Sequence, residues 1–144
     1  MDELDRSLER LRQEYRDRTL LDRTYALLDF HLGWAEATKS TQPELAVRQY
    51  LLAEAQQSTI GTFATGSGEG LASMSSLYGI RGKRADLLER LADAASDRAV
   101  SHRFLREALA VWSEIDADPN GLGEDTPAAS KIRRLKSRLG NREP

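Results

Sequence analysis

The chain contains no cysteine, which removes a disulfide framework, a thiolate nucleophile and any cysteine-ligated zinc site. That absence fits a reducing compartment. No apolar run approaches the roughly 20 residues that a membrane-spanning helix requires, so no membrane partner is expected. Neither sign of charge dominates: 21 basic and 23 acidic residues leave a formal net charge of -2. An overall electrostatic case for nucleic acid is therefore missing. Strand signals are nearly absent too, because β-branched residues are scattered and no segment alternates over strand length. The N-terminus, Met1-Asp2-Glu3-Leu4-Asp5-Arg6, is acidic and charged, unlike a secretory leader, and a cytoplasmic location is expected.

What is present is helical periodicity. Leu4, Leu8, Leu11 and Tyr15 step by four, three and four, which sets them on one face of a helix among charged neighbours. The phase then slips between Arg16 and Leu21. Leu21, Tyr25, Leu28, Leu32 and Ala35 form a second stripe, either a new helix capped by Thr19 and Asp22 or the continuation of a bent one. Residues 39–44 read as a turn, with Thr41 as cap and Pro43 in the first turn of a helix expected over about 43–57. Gly61, Gly66, Gly68 and Gly70 predict a loop, and Leu71, Met74, Leu77 and Tyr78 a helix ending near Gly79 to Gly82. Beyond Arg84 the pattern runs through Leu87, Leu88, Leu91, Ala94 and Ala95, then Phe104, Leu105, Ala108, Val111, Trp112 and Ile115. Asp97 is placed to cap the second of these segments, although a single helix from 84 to 115 is the alternative.

The expected architecture is all-α, with antiparallel helical hairpins stacked as a short array of five to seven helices. One domain spans 1–144: an N-terminal capping helix over 1–18, a helical core over 19–115, a loop over 116–127 and a basic helix over 128–139. Leu28, Leu32, Tyr50, Ala53, Leu91, Ala108 and Trp112 are the expected core.

Leu32-Gly33, Ala46, Tyr50 and Ala53 keep a large-and-small spacing that resembles a tetratricopeptide repeat (TPR). Leu71, Met74, Ser75, Tyr78, Gly82, Leu87, Leu91 and Ala94 resemble a second unit. In such a pair the small residues, Gly33 among them, would let the helices approach closely. The first repeat lacks its early aromatic and neither unit ends with proline, so an ordinary helical bundle is the competing architecture. Residues 108–139 also resemble, more weakly, the ends of helical-repeat regions attached to bacterial signalling proteins. The TPR resemblance implies a concave peptide-binding face lined by the first helix of each pair. Helical position on that face selects Asp29, Trp34 and Glu36, then Ser73, Ser76 and Leu77, with Arg48 flanking.

Chemistry has few footholds. Gly66-Ser67-Gly68-Glu69-Gly70 lacks a preceding strand and the lysine of a phosphate loop, and Glu69 would repel phosphate. Asp116, Asp118 and Asn120, followed by Gly121, have the spacing of a calcium loop, with Glu124 at its ninth position. Pro127 occupies the twelfth, where a bidentate glutamate should close the shell, so these four are weak candidates and no resident metal or cofactor is expected. His31 and His102 lie in no HExxH pattern, and no nucleophile–base pair suggests an enzyme. Lys131, Arg133, Arg134, Lys136, Arg138 and Arg142 crowd the C-terminus, either complementing a helix dipole or forming a basic patch. Without interleaved aromatics, nucleic acid is disfavoured. The expected function is a protein-interaction module that binds a peptide or protein segment, monomeric because residues 1–18 fold back as a cap. The rivals are a structural or oligomerisation bundle, favoured if the Leu4–Leu8–Leu11 stripe is exposed, and after it a weak calcium-responsive module through the 116–127 loop.

Overall fold

A computed structural model describes residues 2–63, 67–119, 121 and 126–140. Its five helices are α1 (Glu3–Thr38), α2 (Pro43–Thr62), α3 (Ser67–Ala94), α4 (Arg98–Asp116) and α5 (Ala128–Leu139), with no strand among the described residues. Each helix packs chiefly on the next in sequence, so the chain is a meander of antiparallel neighbours, as expected for an array of helical hairpins. Among the described residues no helix is long and apolar enough to cross a membrane.

The first helix is longer than its pattern implies. Residues 3–38 form one uninterrupted helix, so the chain continues through 16–21 rather than turning there, and residues 3–18 do not fold back as the expected cap. A slip in hydrophobic phase moves the apolar stripe around a helix without breaking it, and neither glycine nor proline lies between Arg16 and Leu21. Thr19, read as a possible cap, donates its hydroxyl to the Tyr15 carbonyl at 2.9 Å, a bond within the same helix. The helix starts at Asp2, whose carboxylate accepts from the Asp5 amide at 2.8 Å.

After the 39–42 turn, Pro43 opens α2 as expected, although the capping position is Gln42 rather than Thr41 and makes no side-chain cap bond. The helix persists to Thr62, carrying Gly61 with it. Gly68 and Gly70, expected in a loop, lie in the first turn of α3, while Gly66 falls outside the described residues. Gly79 and Gly82 do not end a helix either, and α3 runs through both. Leu71 to Ala94 is therefore one helix rather than the two helices of a second repeat unit. Each mid-helix glycine costs about 1 kcal/mol relative to alanine, which the packing of α3 on two sides outweighs.

Those two sides organise the molecule. Ile80 and Leu87 join Leu28, Ala35, Ala46, Tyr50, Ala53 and Ile60 in a core between α1, α2 and α3. Tyr78, Ala85, Leu88 and Ala92 join Leu105, Ala108, Trp112, Ile115 and Leu135 in a second core between α3, α4 and α5. The α3 residues recur at seven-residue steps, 80 and 87 in one set and 78, 85 and 92 in the other, with Leu88 three residues after Ala85 on the second face, so α3 is a shared wall. Leu28, Tyr50, Ala53, Leu91, Ala108 and Trp112 are buried as expected, whereas Leu32 is half-buried.

Close approach falls elsewhere than expected. A methyl group at Gly33 would meet nothing within 4 Å, so this glycine does not bring α1 and α2 together. Ala46 and Ala53, both fully buried, do. Gly82 is the tight position, with the Trp112 ring seated on its backbone.

Polar contacts set the registers. Glu54, nearly buried on α2, receives Arg84 at 2.6 Å and Arg81 at 3.2 Å from α3. Removing the carboxylate would take the partner from Arg84, whose side chain is only 14% exposed, a loss of about 1.5–3 kcal/mol. Asp97 caps α4, its Oδ1 accepting from the Ala99 amide at 2.7 Å. The basic face of α5 lies over an acidic row of α3. Lys131 meets Asp86 at 2.9 Å, Arg134 meets Glu89 at 2.6 Å, and Arg138 pairs with Glu89 and Asp93. The partners on the two helices share the spacing i, i+3, i+7, which places α5 parallel to α3.

Candidate functional groove

Where α1 passes the end of α2 and the start of α3, the three helices leave an open groove of about 490 Å3. Leu21 and Tyr25 from α1 face Gln57, Ile60 and Phe63 at the end of α2, with Glu69, Ala72, Ser73 and Ser76 of α3 along the third side. The Gln57 amide, buried, donates to the Ser73 hydroxyl at 3.0 Å and closes the polar part of the wall. Tyr25 remains 48% exposed at the mouth. The groove thus offers an aromatic and aliphatic lining with hydroxyl and amide groups and one carboxylate, that of Glu69, the chemistry of a surface that receives a protein side chain.

The expected site residues are only partly gathered here. Ser73 and Ser76 line the groove. Leu77 is buried and lines a separate apolar recess between α2 and α3, beside Gly61, Leu71 and Met74. Asp29 is exposed on α1, and Trp34 is five residues further, about 140° round the helix, so the two do not share one face. Trp34 instead packs edge-on against Phe30, with ring centres 5.5 Å apart. Arg48 borders a shallow recess with Pro43, Leu45 and Leu91, at the other end of α2. Leu21, Tyr25, Gln57 and Phe63 were not selected by repeat position. Leu21 and Tyr25 share an apolar stripe with Leu28, Leu32 and Ala35, and these two of its five residues line the groove.

Glu36 is engaged within the protein. Its carboxylate accepts from Lys39 at 2.6 Å, Tyr50 at 2.7 Å and Lys83 at 3.2 Å. These bonds, that of Lys39 foremost, hold its carboxyl at a pKa of about 2. Burial, reinforced by the Glu36 carboxylate, pushes the Tyr50 phenol up from its ordinary value. The cluster ties α1, α2 and α3 together.

Of the calcium-loop candidates, Asp116 is exposed at the end of α4, while Asn120 and Glu124 lie outside the described residues. Asp118 accepts from the Tyr78 hydroxyl at 2.8 Å. Burial, and this bond after it, raises the Tyr78 pKa. Asp118 thus anchors the end of α4 to α3. Among the described residues no three His, Asp or Glu side chains are grouped so as to hold a metal. His31 bonds Gln49 through Nδ1 at 2.7 Å, a helix-pairing contact. On α5 the pairs with α3 engage Lys131, Arg134 and Arg138, and Arg142 lies outside the described residues.

These features define an all-α protein in which a central helix joins two small cores and one end carries a groove. No family model, curated protein or solved structure matches the chain.

Proposed function

We propose that this is a protein-interaction domain that binds a segment of another protein in the groove between α1, α2 and α3. The observation that carries this reading is the groove itself, with Tyr25 half exposed at its mouth beside Phe63, Ser73 and Ser76. Aromatic residues beside hydrogen-bonding groups are the usual anchors of protein recognition. The repeat-like spacing of Ala46, Tyr50 and Ala53 in the sequence points to the same reading. The cytoplasm suits a chain without cysteine.

Selection from a displayed peptide library against the immobilised protein tests the proposal. Enriched peptides should lose binding to Ser76→Arg, which fills the groove, and keep it with Arg48→Ala at the far end of α2. Peptides that bind both variants equally, or no enrichment at all, would refute it.

A second reading, assembly through α1, is favoured by a separate observation. Leu4, Leu8, Leu11 and Tyr15 are 66%, 43%, 60% and 73% exposed.

A further inference from the structure

The N-terminal part of α1 projects from the body of the protein. With 36 residues α1 is about 54 Å long, while α2 with 20 is about 30 Å. Since Leu21 already stands beside Ile60 and Phe63 at the end of α2, residues 3–18 extend past it. From residue 2 to residue 18 every side chain except Ser7 is exposed. A lone helix of this length is marginal in water, and the few local ion pairs here, Glu9 with Arg12 at 3.9 Å and Arg16 at 3.6 Å, are exposed and weak. An apolar partner for the stripe is what would stabilise it.

The stripe is complementary to itself in one direction. Set antiparallel to a second copy, Leu4 faces Tyr15, Leu8 faces Leu11, and the same pairs repeat across the two-fold axis, four apolar layers in all. Asp5 and Arg12 flank one side of the stripe, Ser7 and Glu14 the other. The antiparallel register brings Asp5 of each copy beside Arg12 of the other, two attractive pairs, while Ser7 meets Glu14 without repulsion. In a parallel pair the flanking contacts become Ser7 with Arg12 and Glu14 with Thr19, and no opposite charges meet. Continuing the heptad would also set Arg18 against Arg18 and Asp22 against Asp22 in the seam. The antiparallel pairing ends at Tyr15 and leaves both outside.

We propose that residues 3–18 form an antiparallel stem with the same segment of a second copy, holding two bodies at its opposite ends. This deepens the assembly reading and replaces the expected monomer; it is independent of the groove. The pairing leaves the groove residues Tyr25 and Ser76 of each copy outside the stem, so one dimer would present two binding grooves.

Sedimentation of the full chain from micromolar to millimolar concentration should show a monomer passing to a dimer. A monomer throughout overturns the assembly reading and the stem together. Leu11→Glu should remove association while circular dichroism shows the helices of the body retained; association unchanged by Leu11→Glu places the interface elsewhere and overturns the stem alone. Asp5→Arg and Arg12→Asp should each weaken self-association, by about tenfold, and an equal mixture of the two should recover it, because each chain then supplies the charge the other lacks. A mixture no tighter than the separate variants overturns the register. The absence of native cysteine allows a direct check of direction. In the antiparallel stem two Leu4 positions lie about 16 Å apart along the axis, too far for a disulfide. Leu4→Cys alone should stay reduced under mild oxidation, and Leu4→Cys mixed with Tyr15→Cys should cross-link. Efficient self-linking of Leu4→Cys would show a parallel pair and overturn the proposal.

Discussion

Two glycines three residues apart in α3 should respond differently to the same substitution. Gly79 is exposed, and a methyl placed on it meets nothing within 4 Å. Gly79→Ala should therefore stabilise by about 0.5–1 kcal/mol, through helix propensity and the reduced freedom of the unfolded chain. At Gly82 the same methyl would lie 3.0 Å from Cη2 and 3.5 Å from Cζ3 of Trp112. Trp112 is 3% exposed, and Lys131 lies over its ring, so the ring has little room to retreat. Overpacking of this kind costs about 1–3 kcal/mol, against the same propensity gain of about 1 kcal/mol. Gly82→Ala should thus range from neutral to about 2 kcal/mol destabilising, and the two variants should differ by about 1–3 kcal/mol. For a domain of this size each kcal/mol moves Tm by about 3 °C, so thermal melts resolve the difference, and urea titration gives it directly. Trp112→Phe supplies the control. It removes the outer ring atoms that approach Gly82, together with an indole N–H that is buried without a hydrogen-bond partner. In that background Gly82→Ala should become stabilising, and the double-mutant cycle should show a coupling of about 1 kcal/mol or more. If Gly82→Ala raises stability as much as Gly79→Ala, or if the cycle shows no coupling, the contact between α3 and α4 is not as described.

Asp118 and Asp116 should separate in calcium-free buffer: Asp118→Ala takes the acceptor from the buried Tyr78 hydroxyl and should cost about 1–2 kcal/mol by urea titration, whereas the exposed Asp116→Ala should be close to neutral. Equal effects would show that the Tyr78 bond does not anchor α4. Acid should release the Glu36 cluster. Its folded pKa of about 2 lies below the usual 4.5, so the stabilisation is complete above the unfolded value and is lost as pH falls toward the folded one. Because the Glu36 side chain is 39% exposed, solvent screening limits the effect to about 1 kcal/mol. Glu36→Gln should flatten stability between about pH 5 and pH 2 relative to the parent, and an unchanged acid profile would contradict the assignment.

Much of the molecule was legible in residue order. Helical periodicity and the lack of strand patterning define an all-α chain, because the i, i+3, i+4 spacing is a property of the helix itself. The Asp97 cap and the start of α2 at Pro43 follow from local backbone chemistry, and local chemistry is what sequence states directly. The pairing of α5 with α3 was also present in the matched spacing of Asp86, Glu89 and Asp93 with Lys131, Arg134 and Arg138. It could be recognised only once both helices were known to run parallel. Helix length was not legible, since glycines that would end an isolated helix persist in one buried on two sides, as at Gly79 and Gly82 in α3. The groove was hidden for a related reason. Leu21 and Tyr25 carry the same periodic signal as Leu28, and only the end of α2 decides which side chains are covered and which remain open. Sequence by itself determined that the chain is helical and which faces are apolar, because backbone hydrogen bonding and side-chain period are local. Tertiary structure alone decided which apolar faces are buried, because burial depends on where a neighbouring helix stops.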